Sequence, residues 1–157
     1  MLRPCIGAVL WADGTFGCMK SAPHIRQSVK TSSRNEIVDV TDRVQRLAHE
    51  HNLREGIIIL YVPHTTAAVT INENYDPHVK ADLLAKLSAL IPKAETYYRH
   101  DEGNSDSHLK TALVGNSATV IVENGKLLLG RWQGIYFCEF DGPRTRELII
   151  KLVHFAD

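Results

Sequence analysis

The feature that most constrains this chain is the run at 56–62, Gly-Ile-Ile-Ile-Leu-Tyr-Val. An unbroken β-branched apolar run of this length reads as a strand buried on both faces, because a half-buried strand would alternate apolar with polar residues. Pro63 halts it, since proline cannot donate to a ladder. His64, Thr65 and Thr66 follow at once. Side chains just past a rigid strand are firmly held and can still face a pocket.

Other elements arrange themselves around that strand. Strands are expected at 25–30 and 35–40, with Thr31-Ser-Ser-Arg34 as the turn between them. A short helix follows to about His51, capped by Thr41 or Asp42 and apolar along Val44, Leu47 and Ala48. Residues 67–71 resume strand character before the polar cluster Asn72-Glu-Asn-Tyr-Asp76. Asp76-Pro77 is a helix start, with Asp as N-cap and Pro in the first position. Val79, Leu83, Leu84, Leu87, Leu90 and Ile91 form one face of that helix, expected to pack on a sheet, and Pro92 ends it. Further on, 118–122 reads as a strand and Asn124-Gly125 as a hairpin turn whose positions both take positive φ. Residues 126–129 return antiparallel, 135–140 run on as a strand, and 145–153 form the last one. The sum is a single α+β domain, mostly antiparallel sheet with two main helices, over residues 23–157. Residues 1–22 show no period and read as an N-terminal extension.

The chain has 157 residues, enough for one domain with a sizeable core. Its 18 basic residues balance 18 acidic ones, so it lacks the one-signed field that nucleic acid or an anionic membrane would favour. No apolar run approaches the ~20 residues of a membrane span. Three cysteines without zinc-finger spacing fit a reducing, cytosolic compartment, with Cys138 as a buried, inert thiol.

One stretch is not explained by folding alone: Tyr98-Arg-His-Asp-Glu-Gly-Asn-Ser-Asp-Ser-His108. His64, His100 and His108 all sit at polar junctions, and three converging imidazoles would suit zinc or a similar divalent ion with an open position. Were 106–108 extended, Asp106 and His108 would face one side; were the piece helical, His100, Asn104 and His108 would share a face. Gly103, Asn104 and Ser105 argue against a helix there. Glu73, Asp76, Asp106 and Glu139 flank element ends, where a pair brought together could act as general acid and base. Capping accounts fully for Asp76. Glu139, among apolar neighbours, needs a partner, for which Arg144 or Arg131 is available. Trp132 could stack on a heterocycle, although an aromatic between strands is more often core.

Together, Pro63-His-Thr-Thr66, Ile71-Asn-Glu-Asn74 with Asp76-Pro77, Tyr98-Arg-His100 with Gly103-Asn-Ser-Asp-Ser-His108, Leu129-Gly130 with Trp132-Gln-Gly134, and Glu139-Phe-Asp-Gly-Pro-Arg144 resemble the YjbQ family from about Ile25 to Val153. The resemblance implies a compact α+β domain that assembles as a homotrimer. It further implies a secondary thiamine-phosphate synthase activity, in which a pyrimidine pyrophosphate couples to a thiazole phosphate and pyrophosphate leaves. The family's polar motifs then fall at one site. His64, His100 and His108 become the metal positions, Glu73, Asp106 and Glu139 the catalytic carboxylates, and Thr65, Thr66, Asn72, Asn104, Gln133 and Arg144 the substrate-binding groups. Loss of pyrophosphate needs cations, with Arg99, Lys110, Arg131 and Arg144 at hand and a divalent metal, zinc or magnesium, to help. Two other readings stay open: metal-assisted hydrolysis, and a non-enzymatic trimer that binds a metabolite or a metal.

Overall fold

The computed structural model describes residues 24–155, preceded by three short strands: β1 (Ala8–Leu10), β2 (Phe16–Cys18) and β3 (Lys20–Ser21). β1 pairs with β2, and β3 pairs with the last strand. From Ile25 the order is β4 (Ile25–Lys30), β5 (Glu36–Asp39), α1 (Thr41–Glu50), β6 (Gly56–Tyr61), β7 (Ala67–Glu73), α2 (Pro77–Leu90), α3 (Ser105–Val114), β8 (Ser117–Glu123), β9 (Lys126–Leu127), β10 (Gln133–Glu139) and β11 (Thr145–His154).

Two antiparallel sheets build the domain. The larger runs β3-β11-β6-β8-β9, with β4 on the same edge of β11 as β3; the smaller runs β5-β10-β7. Strand period decides what lies between them. Arg146, Leu148, Ile150 and Leu152 of β11 are buried, as are Ile58 and Leu60 of β6 and Val120 and Val122 of β8. They meet Ala67, Val69, Ile135 and Phe137 of the smaller sheet and Val44 and Ala48 of α1. The smaller sheet's other face carries Ala68, Tyr136, Cys138 and Phe140, covered by Leu84 and Leu87 of α2 and Val114 of α3.

Several expectations need correction. β6 is not covered on both faces: Ile59 is 36% and Tyr61 43% exposed, and the register places Ile57 opposite Ile121, itself 51% exposed. A continuous apolar run therefore serves a sheet whose outer face the described residues leave open. α2 buries no residue completely, and Leu90 is largely exposed; Leu84 and Leu87 pack on the sheet, and Lys80 lies over the Tyr136 ring, its Nζ 5.4 Å from the centroid. Trp132, just ahead of β10, is 55% exposed and so is not part of the core. The return strand after Asn124-Gly125 is only two residues long, though both turn residues take positive φ as expected. α1 is held not by its own Thr41 or Asp42 but by Asp39, whose Oδ1 accepts from the Thr41 N–H and hydroxyl. Finally, a third helix, α3, begins at Ser105.

Candidate functional site

The start of α3 organises the site. Asn104, Ser105 and Gly103 weaken a helix interior, but they stand at its entry, where such residues are favoured. Gly103 takes φ +67° to make the turn, and Asn104 is the N-cap. The Asn104 amide is spent sideways, donating to Glu102 at 3.2 Å and Asp141 at 3.1 Å. What fixes the helix is its first turn. Ser107 Oγ donates to the Phe140 carbonyl at 2.6 Å, and Asp106, fully buried, accepts from both Arg34 Nη atoms at 3.0 Å and from Lys110 Nζ at 2.8 Å. The Asp106–Lys110 pair is the i,i+4 contact that only a helix provides. Burial pushes the Asp106 carboxyl up, but the hydrogen bonds from Arg34 and Lys110 outweigh it and hold the group below the ordinary carboxylate range.

This turn abuts the ends of β10 and β11. Glu139, fully buried, accepts from Arg146 Nε at 2.7 Å and Nη2 at 2.6 Å, from Thr31 Oγ1 at 3.2 Å, and from the backbone N–H groups of Phe140 and Asp141. Its partner is thus Arg146, and neither Arg144 nor Arg131. The missed signal was parity: Arg146 shares the inward phase of Leu148, Ile150 and Leu152, so it had to be a buried cation. Arg146 Nη2 also donates to Thr66 Oγ1 at 2.9 Å, and Arg144 donates to Asp141 through Nε and Nη2, both at 2.7 Å.

Above these anchors lies a polar cavity of about 320 Å³, lined by Thr65, Thr66, His100, Asn104, His108 and Arg144 together with Glu102, Asp141 and Arg146. Six of the residues singled out from sequence therefore share one pocket. His100 and His108 stand edge to face, ring centroids 5.0 Å apart. Asp106 and Glu139 lie beneath, with their oxygens occupied by Arg34, Lys110 and Arg146 as described; they position cations rather than offer a free base.

His64 takes another role. Its Nε2 accepts the Glu147 N–H at 2.9 Å, which requires a neutral ring with the proton on Nδ1. Burial, then the nearby Arg146 charge, lower its affinity for a second proton, while Glu139 and Glu147 oppose them. Among the described residues, no group of three or more His, Cys, Asp and Glu side chains gathers closely enough to hold a metal ion. The three histidines of one chain thus do not fit a shared zinc or magnesium ion: His100 and His108 pair, and His64 is committed to backbone. Its folded pKa lies below the usual 6.5, so stability from neutral His64 is complete above that value and falls as pH drops below it. Urea unfolding between pH 7 and 5 is expected to show this loss, of less than about 1 kcal/mol for a partly solvated ring. His64→Gln, which keeps an acceptor without titrating, should flatten the trend.

Glu73, Asn72 and Gln133 lie elsewhere. β7 and β10 pair so that Ala67 opposes Glu139 at the pocket end, while Glu73 opposes Gln133 at the far end, roughly 20 Å of strand away. There Gln133 closes its own turn by accepting the Gly130 N–H, and the Glu73 and Asn74 oxygens accept the Tyr136 hydroxyl. Arg131 belongs to that end too. Lys110 is buried against Asp106, and Arg99 lines a separate, aromatic cavity.

Two packed antiparallel sheets, with a helix start and two strand ends meeting at an imidazole-paired pocket, define a small α+β class. The family model described as UPF0047 protein YjbQ-like matches residues 25–154, and the chain belongs to that family. The chain is 52% identical over 128 residues to UPF0047 protein MJ1081 of Methanocaldococcus jannaschii, covering 82% of this chain and 92% of that protein. It is 50% identical over 125 residues to UPF0047 protein YugU of Bacillus subtilis, covering 80% and 95%. Among solved structures, a YjbQ/UPF0047-family protein of Clostridium acetobutylicum superposes with TM-score 0.79 at 48% identity, over 82% of this chain and 98% of that one. A YbjQ-like protein of unknown function from Sulfolobus solfataricus gives TM-score 0.81 at 29% identity, over 87% and 99%. Among the described residues, no helix is long and apolar enough to cross a membrane.

Proposed function

We propose that the polar pocket binds a phosphate-bearing small molecule and that the protein is an enzyme of group transfer, with thiamine-phosphate synthase-like coupling as the reaction to assay first. The observation that carries this reading is the meeting of His100, His108, Arg144, Arg146, Thr65 and Thr66 in one cavity. Guanidinium groups and hydroxyls suit phosphate oxygens, and fixed cations favour a leaving pyrophosphate. In such a coupling the methylene C–O bond breaks, its electron pair leaves with pyrophosphate, and a C–N bond forms to the thiazole nitrogen. Arg144 and Arg146 would neutralise the departing charge. The imidazole pair, one ring against the other, would hold or exchange a proton at the pyrophosphate oxygens.

A homotrimer in a cytosolic setting belongs to the same reading. For the assembly the support is the exposed apolar side chains of Ile59, Tyr61 and Ile121 on one face of β6 and β8, suited to burial against other copies. Sedimentation equilibrium reads the assembly directly. A divalent ion would need a ligand beyond the His100–His108 pair, and no step is assigned to one.

The test is titration of the purified protein with inorganic pyrophosphate, followed by imidazole proton resonances, alongside an assay of the coupling reaction. Pyrophosphate is expected to shift His100 and His108 in both EDTA-treated and untreated protein, with about tenfold weaker binding in Arg144→Ala. Coupling should fall by about 10²–10⁴-fold in His108→Ala. Failure of pyrophosphate to bind at all would overturn the phosphate reading. Binding that EDTA abolishes would return a metal to the site.

A further inference from the structure

Helix α3 is built inside out. Its buried residues are Asp106, Ser107, Lys110 and Thr111, while Leu109 is 45% and Leu113 60% exposed. Leu109, Ala112 and Leu113 stand at i, i+3 and i+4 and so form one outward stripe. The stripe carries no charge, because the two charges of the helix pair inward. A helix that faces only water shows the reverse pattern. Rolling cannot hide the leucines: the inward positions are held by the Asp106 ion pairs with Arg34 and Lys110 and by the Ser107 bond to the Phe140 carbonyl. The stripe also bears on the pocket. Leu109 and Tyr97, itself 67% exposed, wall the aromatic cavity of about 450 Å³ beside His100 and His108.

A flat, uncharged, apolar surface fits such a stripe, and the chain itself carries one. Register sets Ile57, Ile59 and Tyr61 of β6 beside Val153 and Ile149 of β11 and Ile121 of β8 on the outer face of the large sheet. Helix-on-sheet packing of this kind is already used once within the chain, where Leu84 and Leu87 of α2 lie on the small sheet. Area then decides how copies meet. Four strands about 4.8 Å apart and roughly six residues long give the open face a footprint of about 400 Å². A stable interface takes ~800 Å² from each partner, so two copies joined sheet to sheet fall short. A closed ring, in which α3 of each copy meets the sheet of the next, covers both faces of every copy. We infer that the outward stripe of α3 docks on the open sheet face of a second copy, which roofs the aromatic cavity and makes the pocket complete only in the assembly. This inference rests on the assembly reading above and is independent of the phosphate reading.

The experiment is sedimentation equilibrium of the wild type, Leu113→Lys and Ile121→Glu, with circular dichroism to confirm that each variant folds. Both positions are more than half exposed in the single chain, so folding should be spared. Each substitution is expected to weaken association by about 30-fold or more, because each places a charge at the centre of the same contact. Hydroxyl-radical footprinting supplies a second readout. Tyr61 on the sheet and Tyr97 and Leu109 at the cavity should all be oxidised several-fold more slowly in the assembled wild type than in dissociated Leu113→Lys. Assembly broken by Ile121→Glu but untouched by Leu113→Lys would mean sheet-to-sheet contact and would overturn the α3 interface while leaving assembly standing. Equal oxidation of Tyr97 and Leu109 in the two proteins would overturn the roofed cavity. A wild type that sediments as a monomer would overturn the α3 interface and the assembly reading together.

Discussion

Replacing Arg146 by alanine is expected to lower the unfolding free energy by about 3–5 kcal/mol, read from urea denaturation at neutral pH. The guanidinium is 8% and the Glu139 carboxylate 0% exposed, and two short hydrogen bonds join them. Without Arg146, Glu139 keeps Thr31 and two backbone N–H groups but loses its counter-charge where water does not reach. Breaking one half of such a pair costs far more than removing both, because the remaining charge stays desolvated. Arg146→Met with Glu139→Leu should therefore recover much of the loss. Phosphate binding should not recover with it, since Arg146 also lines the pocket. That split separates the structural from the binding role. A cost below about 1 kcal/mol for the single substitution would show instead that water reaches Glu139.

Asp106→Asn is expected to be of similar size, about 3–5 kcal/mol, because it leaves the buried Lys110 without its counter-charge and takes from Arg34 the nearer of its two carboxylates. Lys110 is 2% exposed and has Asp106 as its salt-bridge partner, and Arg34 forks onto the same carboxylate. The variant should also change how stability depends on acid. Asp106 has a folded pKa below its ordinary 3.8, so its contribution is complete above that value and is lost as pH falls through the lower, folded value. The wild type should thus lose stability steeply at the acid end, and Asp106→Asn should show a shallower slope there. Equal slopes would mean that the carboxylate is not held by its cations. The effect should extend to the pocket, because Asp106 and Ser107 pin the helix turn from which His108 projects.

Much of this was legible along the chain, and the legible parts share one property: their physics is local. Asp76-Pro77 starts α2 because a carboxylate caps the His78 N–H at 2.8 Å and proline needs no partner in the first turn. Asn124-Gly125 turns because both residues tolerate positive φ. The thiol of Cys138 reads as inert from its apolar flanks, and burial does push it up to about 12. The polar motifs at 64–66 and 98–108 stood out as unexplained by folding, and Thr65, Thr66, His100, Asn104, His108 and Arg144 do share a pocket.

The residues that misled are those whose meaning depends on distant partners. Gly103-Asn-Ser105 looks like a helix breaker until one sees that the chain needs a helix start there, held by Arg34 from 72 residues away. Histidine spacing says nothing of direction: His64 lies next to Thr65 in sequence, yet its Nε2 is taken by the β11 backbone. Asn72, Glu73 and Gln133 carry the same polar signature as the pocket residues and lie at the opposite end of the β7–β10 pairing.

What the amino-acid order determined by itself is the set of elements, their antiparallel character and the identity of the polar segments, because propensity, period and turn chemistry act over a few residues. Only the tertiary structure decided which charges pair, which histidines meet and which apolar face stays open. Those outcomes depend on burial between segments far apart in the chain, where a buried charge must find its counter-charge and a sheet has two faces to cover.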